Sequence, residues 1–520
     1  MATDRLSHSN PQRHSGGSAF ERPRRRRVVT AVVIALALSS IVLASLIART
    51  PEQDRTLGLS PGMSVFVDPS GRSDGDGSLE RPLDLETALS AKGPVRQGST
   101  VWLRGGTYRG TFRSDLTGSS EQPIVVRPYP GEHVIIDSAP FGEPALSIHG
   151  AWTTYRDLEI LNSSSGRESV QTNSSQPTDL TRGPGLDIHG PHTKFVGLVV
   201  HDLAGGLDIW SDAVGSEATG NIVYNNGWKS GDRNNGHGIY TQNKDGVRKL
   251  TDNIIFNQFA AGVHAYGSDA AYLDNLLLEG NVSFNNGLLA QKYDRNLLIG
   301  GGRPARHPVL IGNYTYYSRG LRHGQNNIGY QAGCADLEAR DNVFAASDFG
   351  FALEMVNCTG SVEHNTFIGE VRAVEGPTLV NHMTVKNRFP KNTYVEQQPT
   401  GVQVFVRPSR SEPGRAHIIV YNWARGRAVS ADLSAVKLEV GSRFVIRDAQ
   451  NYFEDPVATG TYSGLPVQIP MSGLTVAPPI GDGLKTPEHT GPEFAVFVLT
   501  PAPPSTSLVS RAVSALRRAL

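Results

Sequence analysis

The sequence has few methionines, few charged residues and no excess of charge of either sign. Its 520 residues include five methionines, 19% charged residues, and 49 lysines and arginines against 49 aspartates and glutamates. This composition argues against a predominantly helical protein, and the 56 glycines favour short strands joined by tight turns. Because the charges balance, the composition gives no indication of a nucleic-acid partner, and none is expected.

The N-terminal region holds the main asymmetry of charge. Residues 1–27 are polar and end in an arginine run, which predicts a disordered basic tail in the cytoplasm. Residues 28–48 carry no charge and are long enough to span a bilayer as a helix. We therefore predict a single-pass signal anchor in the cell membrane, a linker over residues 49–63, and extracytoplasmic main domains. A cleaved signal peptide, giving a secreted protein, and a twin-arginine export signal are the alternatives.

A short phrase recurs along the middle of the chain, consisting of Asn, a strand and an Asn/Gly turn. The instances begin at Asn221, Asn253, Asn281, Asn313, Asn342 and Asn365, with spacings of 23 to 32 residues. Irregular repeats of this size are typical of a parallel β-helix, in which each coil stacks on the previous one. Asn225, Asn257 and Asn285 fall at one place in their coils and are predicted to form a hydrogen-bonded ladder.

A second strand follows each phrase and determines which side chains face outwards. Its copies span residues 145–149, 185–189, 206–210, 238–242 and 262–266. Alternate residues of a strand face opposite sides, so the apolar positions point inwards and the others form two outer columns. The first, the polar column, contains Ser147, Asp187, Asp208, Tyr240 and His264. The second, the ring column, contains His149, His189, Trp210, Gln242 and Tyr266.

Three segments near the start of the repeat region carry a family resemblance. They are residues 65–89 (VFVDPSGRSDGDGSLERPLDLETAL), 98–112 (GSTVWLRGGTYRGTF) and 124–137 (IVVRPYPGEHVIID). The chain resembles pectate-lyase-like right-handed β-helix proteins, above all the chondroitinase-B-like and alginate-lyase-like branch. This implies a right-handed parallel β-helix over residues 64–390. The superfamily contains lyases, hydrolases, epimerases and adhesins. We match no residues of this chain to the Lys/Arg pair that such lyases carry on neighbouring coils.

The repeat stops near residue 395. Alternating segments separated by Pro/Gly turns predict an antiparallel β-sandwich over residues 395–500, followed by a tail over residues 501–520. The sandwich resembles the modules that close many carbohydrate-active enzymes, and we expect it to pack on the β-helix or cap its end. Glycan binding is its alternative role. The predicted fold is therefore all-β, a right-handed parallel β-helix and an antiparallel β-sandwich preceded by one transmembrane helix.

The polar column places Asp187 directly opposite Asp208 on adjacent strands. Like charges so placed repel, and a bound cation, a shared proton or a nearby basic side chain would compensate. Calcium is the candidate cofactor, with this pair as its candidate ligands. The Asp-rich turn with Asp74 and Asp76 is a second candidate calcium site, for which a plain polar turn is the alternative.

A loop inserted over residues 227–234 leads directly into one strand of the column. We predict that it brings Trp228, Lys229, Asp232 and Arg233 to the column edge, with His237 at the rim. The candidate catalytic residues are Asp187, Asp208, Tyr240, His237 and His264. The candidate substrate-binding residues are Trp210, Trp228, Lys229, Asp232, Arg233, Gln242, Tyr266 and His189.

Cys334 and Cys358 follow aligned strands of consecutive coils, at six residues after Ile328 and seven after Phe351. We predict that they form a structural disulfide, as an oxidising compartment permits.

Three functions are compatible with these features. In a polysaccharide lyase or uronate epimerase, Tyr240 or His264 would take or deliver the C5 proton of the sugar. The resemblance favours this class. A glycoside hydrolase would use the paired Asp187 and Asp208. A non-catalytic surface protein would only bind a glycan. In each case the expected partner is a polysaccharide, and the chain is expected to be a monomer.

Overall fold

The computed structural model describes residues 64–502 except 176, 291–294, 321–324, 347, 349 and 398. The predicted cytoplasmic tail, transmembrane anchor and linker, residues 1–63, lie outside the described residues, as do residues 503–520. Across the described ranges, no helix combines the length and the apolar character needed to cross a membrane.

Short strands build three long sheets, in which they pair in parallel from coil to coil except for an antiparallel pair at the end of sheet III. Sheet I contains β1 (Ser64–Val67), β2 (Thr100–Leu103), β5 (Ile124–Pro128), β8 (Thr153–Arg156), β12 (Lys194–Val196), β15 (Glu217–Thr219), β20 (Arg248–Thr251), β23 (Leu276–Glu279), β26 (Ala305–Arg306), β27 (Val309–Ile311), β30 (Cys334–Arg340) and β33 (Cys358–Glu363). Sheet II contains β3 (Gly106–Arg109), β6 (Val134–Asp137), β9 (Glu159–Leu161), β13 (Val199–His201), β16 (Ile222–Tyr224), β21 (Ile254–Phe256), β24 (Val282–Phe284), β28 (Tyr314–Tyr316), β31 (Val343–Ala345), β34 (Thr366–Ile368) and β37 (Thr393–Val395). Sheet III contains β4 (Phe112–Ser114), β7 (Leu146–Ile148), β11 (Leu186–Ile188), β14 (Leu207–Ile209), β19 (Ile239–Thr241), β22 (Val263–Gly267), β25 (Arg295–Gly301), β29 (Gln325–Gln331), β32 (Phe351–Val356), β35 (Glu370–Glu375) and β36 (Thr378–Val380).

The chain visits sheets I, II and III in turn, which confirms the predicted parallel β-helix; the right hand of its coil stays a prediction. The inward positions of the sheet III strands, such as Leu186, Ile209 and Val263, are fully buried in one continuous apolar core. Two short helices cover the ends of this core. Helix α1 (Leu85–Leu89) begins at Asp84, whose side chain accepts a hydrogen bond from the Thr87 N–H, and α2 (His382–Arg388) lies near the other end.

The asparagine ladder lies four residues before the predicted one in each coil. Asn281 Oδ1 accepts hydrogen bonds from the backbone N–H of Asn253 at 3.1 Å and from its Nδ2 at 2.9 Å. The first residue of every phrase continues this pattern from coil to coil, at Asn221, Asn253, Asn281, Asn313, Asn342, Asn365 and Asn392. Asn225, Asn257 and Asn285 instead turn the chain in the left-handed region, at φ of 55°, 53° and 49°.

The C-terminal region is antiparallel. One sheet contains β38 (Val402–Pro408), β39 (Ala416–Asn422), β41 (Arg443–Asp448), β42 (Ala458–Thr461) and β44 (Phe494–Pro501). A second, smaller sheet pairs β40 (Ala428–Ala431) with β43 (Val467–Pro470). Short 3₁₀ helices lie at Ser434–Val436 and Ala449–Asn451. Ile418 of the larger sheet and Val429 and Ile469 of the smaller one share a buried core, in the layered manner expected of a sandwich.

This module packs along the side of the β-helix rather than on its end. Phe494 of β44 stacks on Tyr316 of sheet II, with 4.5 Å between ring centroids, and lies 5.2 Å from the ring of Phe284. Phe256 and Ile254 on the coil before belong to the same buried cluster. The middle strands of sheet II are therefore buried on both faces, which explains the continuous apolar sequences of β16 and β21.

Candidate functional site

The polar column forms the outer face of sheet III. Asp187 is the register partner of Asp208, which pairs in turn with Tyr240, and Tyr240 with His264. Ser147 precedes Asp187 in the same column. The structure therefore brings together the five residues that the strand alternation placed on one outer face. Because adjacent strands lie about 4.8 Å apart, side chains at successive positions are within reach of a single ligand.

Asp187 is held by donors on both of its oxygens. Trp210 Nε1 donates to Oδ1 at 2.7 Å, and Ser147 Oγ donates to Oδ2 at 3.2 Å. His189 Nε2 lies 3.4 Å from the same Oδ2. These contacts hold the Asp187 carboxyl group in a fixed orientation.

Asp208 occupies a different environment. Its half-buried carboxyl lies against the Gly205 backbone, where an added Cβ would come within 3.4 Å of Oδ1. Burial, and next the charge of Asp187, raise the pKa of Asp208 to about 7. The two carboxyl groups thus differ in their contacts, and Asp208 holds its proton over a wide acidic range.

Replacing Asp208 by Asn is expected to stabilise the protein increasingly as the pH rises from 4 to 8. The folded state binds the Asp208 proton more tightly than the unfolded state, so wild-type stability decreases as pH rises through this window. The pKa of Asp208 lies about three units above its usual value, and this difference corresponds to about 4 kcal/mol of stability. Solvent contact of the half-buried carboxyl lowers the expected change to about 2 kcal/mol.

Thermal unfolding of both proteins at pH 4, 6 and 8 measures this difference. A melting-temperature difference that does not change with pH would contradict the raised pKa of Asp208.

The ring column stacks beside the polar column. The rings of His149 and His189 are parallel with 5.1 Å between centroids, and Trp210 follows His189 at 6.1 Å. His189 Nδ1 is 2.9 Å from Asp212 Oδ2, so this histidine lies between two carboxylates. Asp212 was not identified from the sequence, although it follows Trp210 by two residues. The column offers a flat aromatic surface of the kind against which sugar rings pack.

The part of the site beyond Asp208 contains Tyr240, His264 and His237. His264 Nδ1 and His237 Nε2 share a hydrogen bond of 2.8 Å. Burial lowers the pKa of His237 to about 4 and that of His264 well below its usual value, so both rings are neutral at pH 7. Burial also raises the pKa of Tyr240, whose hydroxyl accepts a hydrogen bond of 2.8 Å from Gln242 Nε2. Tyr266 lies 5.2 Å from the His264 ring.

Three side chains of the inserted loop, which was predicted to lie at the column edge, contact residues outside the two columns. Trp228 is buried against Leu180 and Ala204, and Lys229 Nζ lies 3.7 Å from Glu168. Asp232 accepts a hydrogen bond from the Asn173 N–H.

The cause is a small separate sheet formed by two insertions. It contains β10 (Glu168–Ser169), β17 (Trp228–Ser230) and β18 (Asn234–Asn235). The loop satisfies its backbone hydrogen bonds with another insertion rather than over the site. The charge of Arg233 contributes to the low pKa of His237, after the larger effect of burial.

The polar column is longer than the sequence indicated. Arg113 precedes Ser147, and the column continues after His264 with Leu298 and Asn327. Glu354 and Arg372 follow, where Asn327 Nδ2 donates to Glu354 at 2.6 Å and Arg372 forms an ion pair with Glu354. Leu298, Asn327, Glu354 and Arg372 lie in strands that follow the five copies identified from the sequence. Their registers shift at bulges between β25 and β29 and between β32 and β35, which alternation alone does not reveal.

Calcium at the carboxyl pair Asp187 and Asp208 stays a prediction. No group of three or more His, Cys, Asp or Glu side chains suited to a metal occurs among the residues that the structure describes. Asp74 pairs with Arg72 at 2.8 Å, and Asp76 accepts the Ser78 N–H at 2.9 Å, as in a polar turn. Calcium dependence stays a prediction.

The predicted pairing of Cys334 with Cys358 is present. The two residues are register partners on adjacent strands of sheet I, with Cα atoms 4.4 Å apart and a disulfide bond between them. The bond joins consecutive coils and so fixes their stacking near the end of the β-helix.

Comparison with curated proteins finds relatives over short segments. No family model matches the chain. It is 36% identical over 116 residues to the pectate lyase PEL9 of Emericella nidulans, covering 19% of this chain and 28% of that protein. It is 28% identical over 123 residues to the uncharacterised protein YwoF of Bacillus subtilis (strain 168), covering 23% of this chain and 25% of that protein. The matches thus span about a quarter of the length of these relatives.

Comparison with solved structures finds similar folds at low identity. Pectate lyase Pel9A has a TM-score of 0.41 and 16% identity, covering 62% of this chain and 78% of that chain. The GH136 lacto-N-biosidase from Eubacterium ramulus has a TM-score of 0.42 and 15% identity, covering 66% of this chain and 69% of that chain. The alginate lyase from Paenibacillus sp. str. FPU-7 has a TM-score of 0.37 and 14% identity, covering 64% of this chain and 97% of that chain. The fold of this chain rests on its own strand pairing, and it is a parallel β-helix protein with an antiparallel C-terminal module.

Proposed function

We propose that the polar and ring columns of sheet III bind a polysaccharide and hydrolyse its glycosidic bonds. One observation carries the proposal: Asp187 and Asp208 are register partners whose surroundings differ, with donors on both oxygens of Asp187 and a pKa of about 7 for Asp208. Glycoside hydrolysis uses two carboxyl groups, one of which is kept protonated by a raised pKa.

The roles follow from the different surroundings of the two carboxyl groups. Protonated Asp208 donates to the glycosidic oxygen as its bond to the anomeric carbon breaks. Asp187 acts as the carboxylate partner, which attacks the anomeric carbon or takes a proton from the attacking water. Trp210 and Ser147 hold Asp187 in position through their hydrogen bonds. The stacked rings of the ring column support the sugar.

β-Elimination on a uronate-containing glycan is the second candidate. A neutral His264 beside Tyr240 is suited to take the sugar's C5 proton, and a segment of the chain is similar to a pectate lyase. Against it, the described part of the polar column carries no lysine or arginine between Arg113 and Arg372, and Leu298 follows His264. A lyase needs a group that neutralises the uronate carboxylate, and hydrolysis does not.

Incubation with acidic and neutral polysaccharides, with and without calcium, distinguishes the candidates. We expect new reducing ends without the ultraviolet absorbance of an unsaturated uronate, and no requirement for calcium. Absorbance would show that the protein cleaves by β-elimination and not by hydrolysis. Calcium dependence would support calcium as the cofactor. Binding without either product would leave a glycan-binding protein.

We further propose that the protein works outside the cytoplasm. A disulfide bond between its two cysteines supports an oxidising compartment, as does the uncharged segment over residues 28–48. Membrane fractionation of the producing cells, before and after protease treatment of intact cells, tests both the anchor and its orientation.

A further inference from the structure

A second cleft lies where the β-helix meets the C-terminal module, and its volume is about 620 Å³. The turns that follow β16, β24 and β28 form its β-helix side, and residues 483–491 with Arg425 form its module side. None of the column residues lines it, so it is distinct from the proposed hydrolytic site. Its size is within the range of pockets that hold small organic ligands or a few sugar units.

The floor of the cleft is polar and its charges are balanced. Glu493 is 4% exposed and accepts hydrogen bonds from Tyr316 Oη at 3.2 Å and from Arg319 Nε at 3.0 Å. Asn285 and Ser318 bond to each other beside it. The buried carboxylate is thus neutralised by Arg319, so the floor does not repel an anion.

The rim carries an excess of positive charge. Lys229 lies 3.7 Å from Glu168, a weak pair because the Glu168 side chain is 73% exposed. Arg425 and Lys485 are exposed, and no ion pair involves them in the described part of the chain. Glu488 is the acidic residue that remains on the rim. Such unpaired cations would bind carboxylate or sulfate groups with charge-assisted hydrogen bonds.

Apolar side chains separate the polar groups of the cleft. Leu288, Leu289, Leu484 and Pro487 line its walls beside the cationic rim. A simple anion would not use these walls, whereas a sugar ring presents an apolar face together with hydroxyl groups. We propose that this cleft is a second glycan-binding site that holds an acidic oligosaccharide segment, bearing uronate or sulfate groups.

Affinity electrophoresis of the full chain tests this, using the Asp208→Asn variant so that binding is measured without turnover. Gels containing polygalacturonate or chondroitin sulfate are expected to retard the protein more than gels containing dextran. The Arg425→Ala/Lys485→Ala double variant should bind the acidic glycans at least tenfold more weakly. Glu488→Gln should bind them more tightly, because it removes a repelling charge.

Arg443→Ala is the matched control, since Arg443 is exposed on the same module but does not line the cleft. An equal loss of affinity in this control would overturn the proposal, as would unchanged binding in the double variant. Equal retardation by polyglutamate would show that the cleft binds acidic peptides as well as it binds acidic glycans, and would overturn the proposal of a glycan site. Complete loss of retardation in millimolar sulfate would show that the cleft binds simple anions, and would overturn the proposal of a glycan site. Because binding is measured without turnover, failure of the hydrolytic proposal would leave this result unaffected.

Discussion

Asp208→Asn is expected to lower the rate of polysaccharide cleavage by about 10²- to 10⁴-fold, because asparagine cannot donate the proton that the leaving oxygen needs. Asp187→Asn should cause a comparable loss, since the amide cannot serve as the carboxylate partner. The loss should appear in kcat rather than KM, because both groups act mainly on the transition state. Initial rates of reducing-end formation, on a polysaccharide that the wild type cleaves, measure both effects.

The pH profile distinguishes the acid from a merely structural residue. Wild-type activity should decrease as the pH rises through about 7, where Asp208 loses its proton. Asp455→Asn is the control, since Asp455 is exposed on the C-terminal module and should leave rate and profile unchanged. An Asp208→Asn enzyme with nearly full activity would show that another group supplies the proton.

Asn281→Ala is expected to destabilise the β-helix by about 4 kcal/mol, since several buried groups lose their partners at once. Asn253 loses the acceptor of both its backbone N–H and its Nδ2, and the Leu250 carbonyl loses the Asn281 Nδ2 donor at 2.8 Å. The bond of 3.0 Å to Asn313 Oδ1 is lost as well. Urea unfolding, followed by circular dichroism, should show an earlier midpoint.

Asn257→Gly is the matched comparison within the same repeat. Asn257 is buried at φ 53°, and its side-chain amide has no hydrogen-bond partner among the described residues. Glycine adopts this φ without strain, so the change should cost less than about 1 kcal/mol. Equal destabilisation by the two substitutions would mean that the ladder adds nothing beyond local packing.

The coil repeat and the outer face of the site strands could be predicted from sequence because both depend on local geometry. Asparagine and glycine mark the turns, and strict alternation in the strands fixes which side chains point outwards. Asp187, Asp208 and Tyr240 therefore align in the structure as their spacing indicates. The same local pattern failed where a bulge shifts the register, which is why Glu354 was missed.

The sequence by itself determined the stacking of coils, the disulfide and the five central residues of the polar column, from Ser147 to His264. Only the tertiary structure decided that Trp228 and Lys229 pair with another insertion, and that the C-terminal module covers the side of the β-helix. It also decided the unequal surroundings of Asp187 and Asp208. These features depend on which distant segments meet and on how much water they exclude, and periodicity along a single strand carries no information about either.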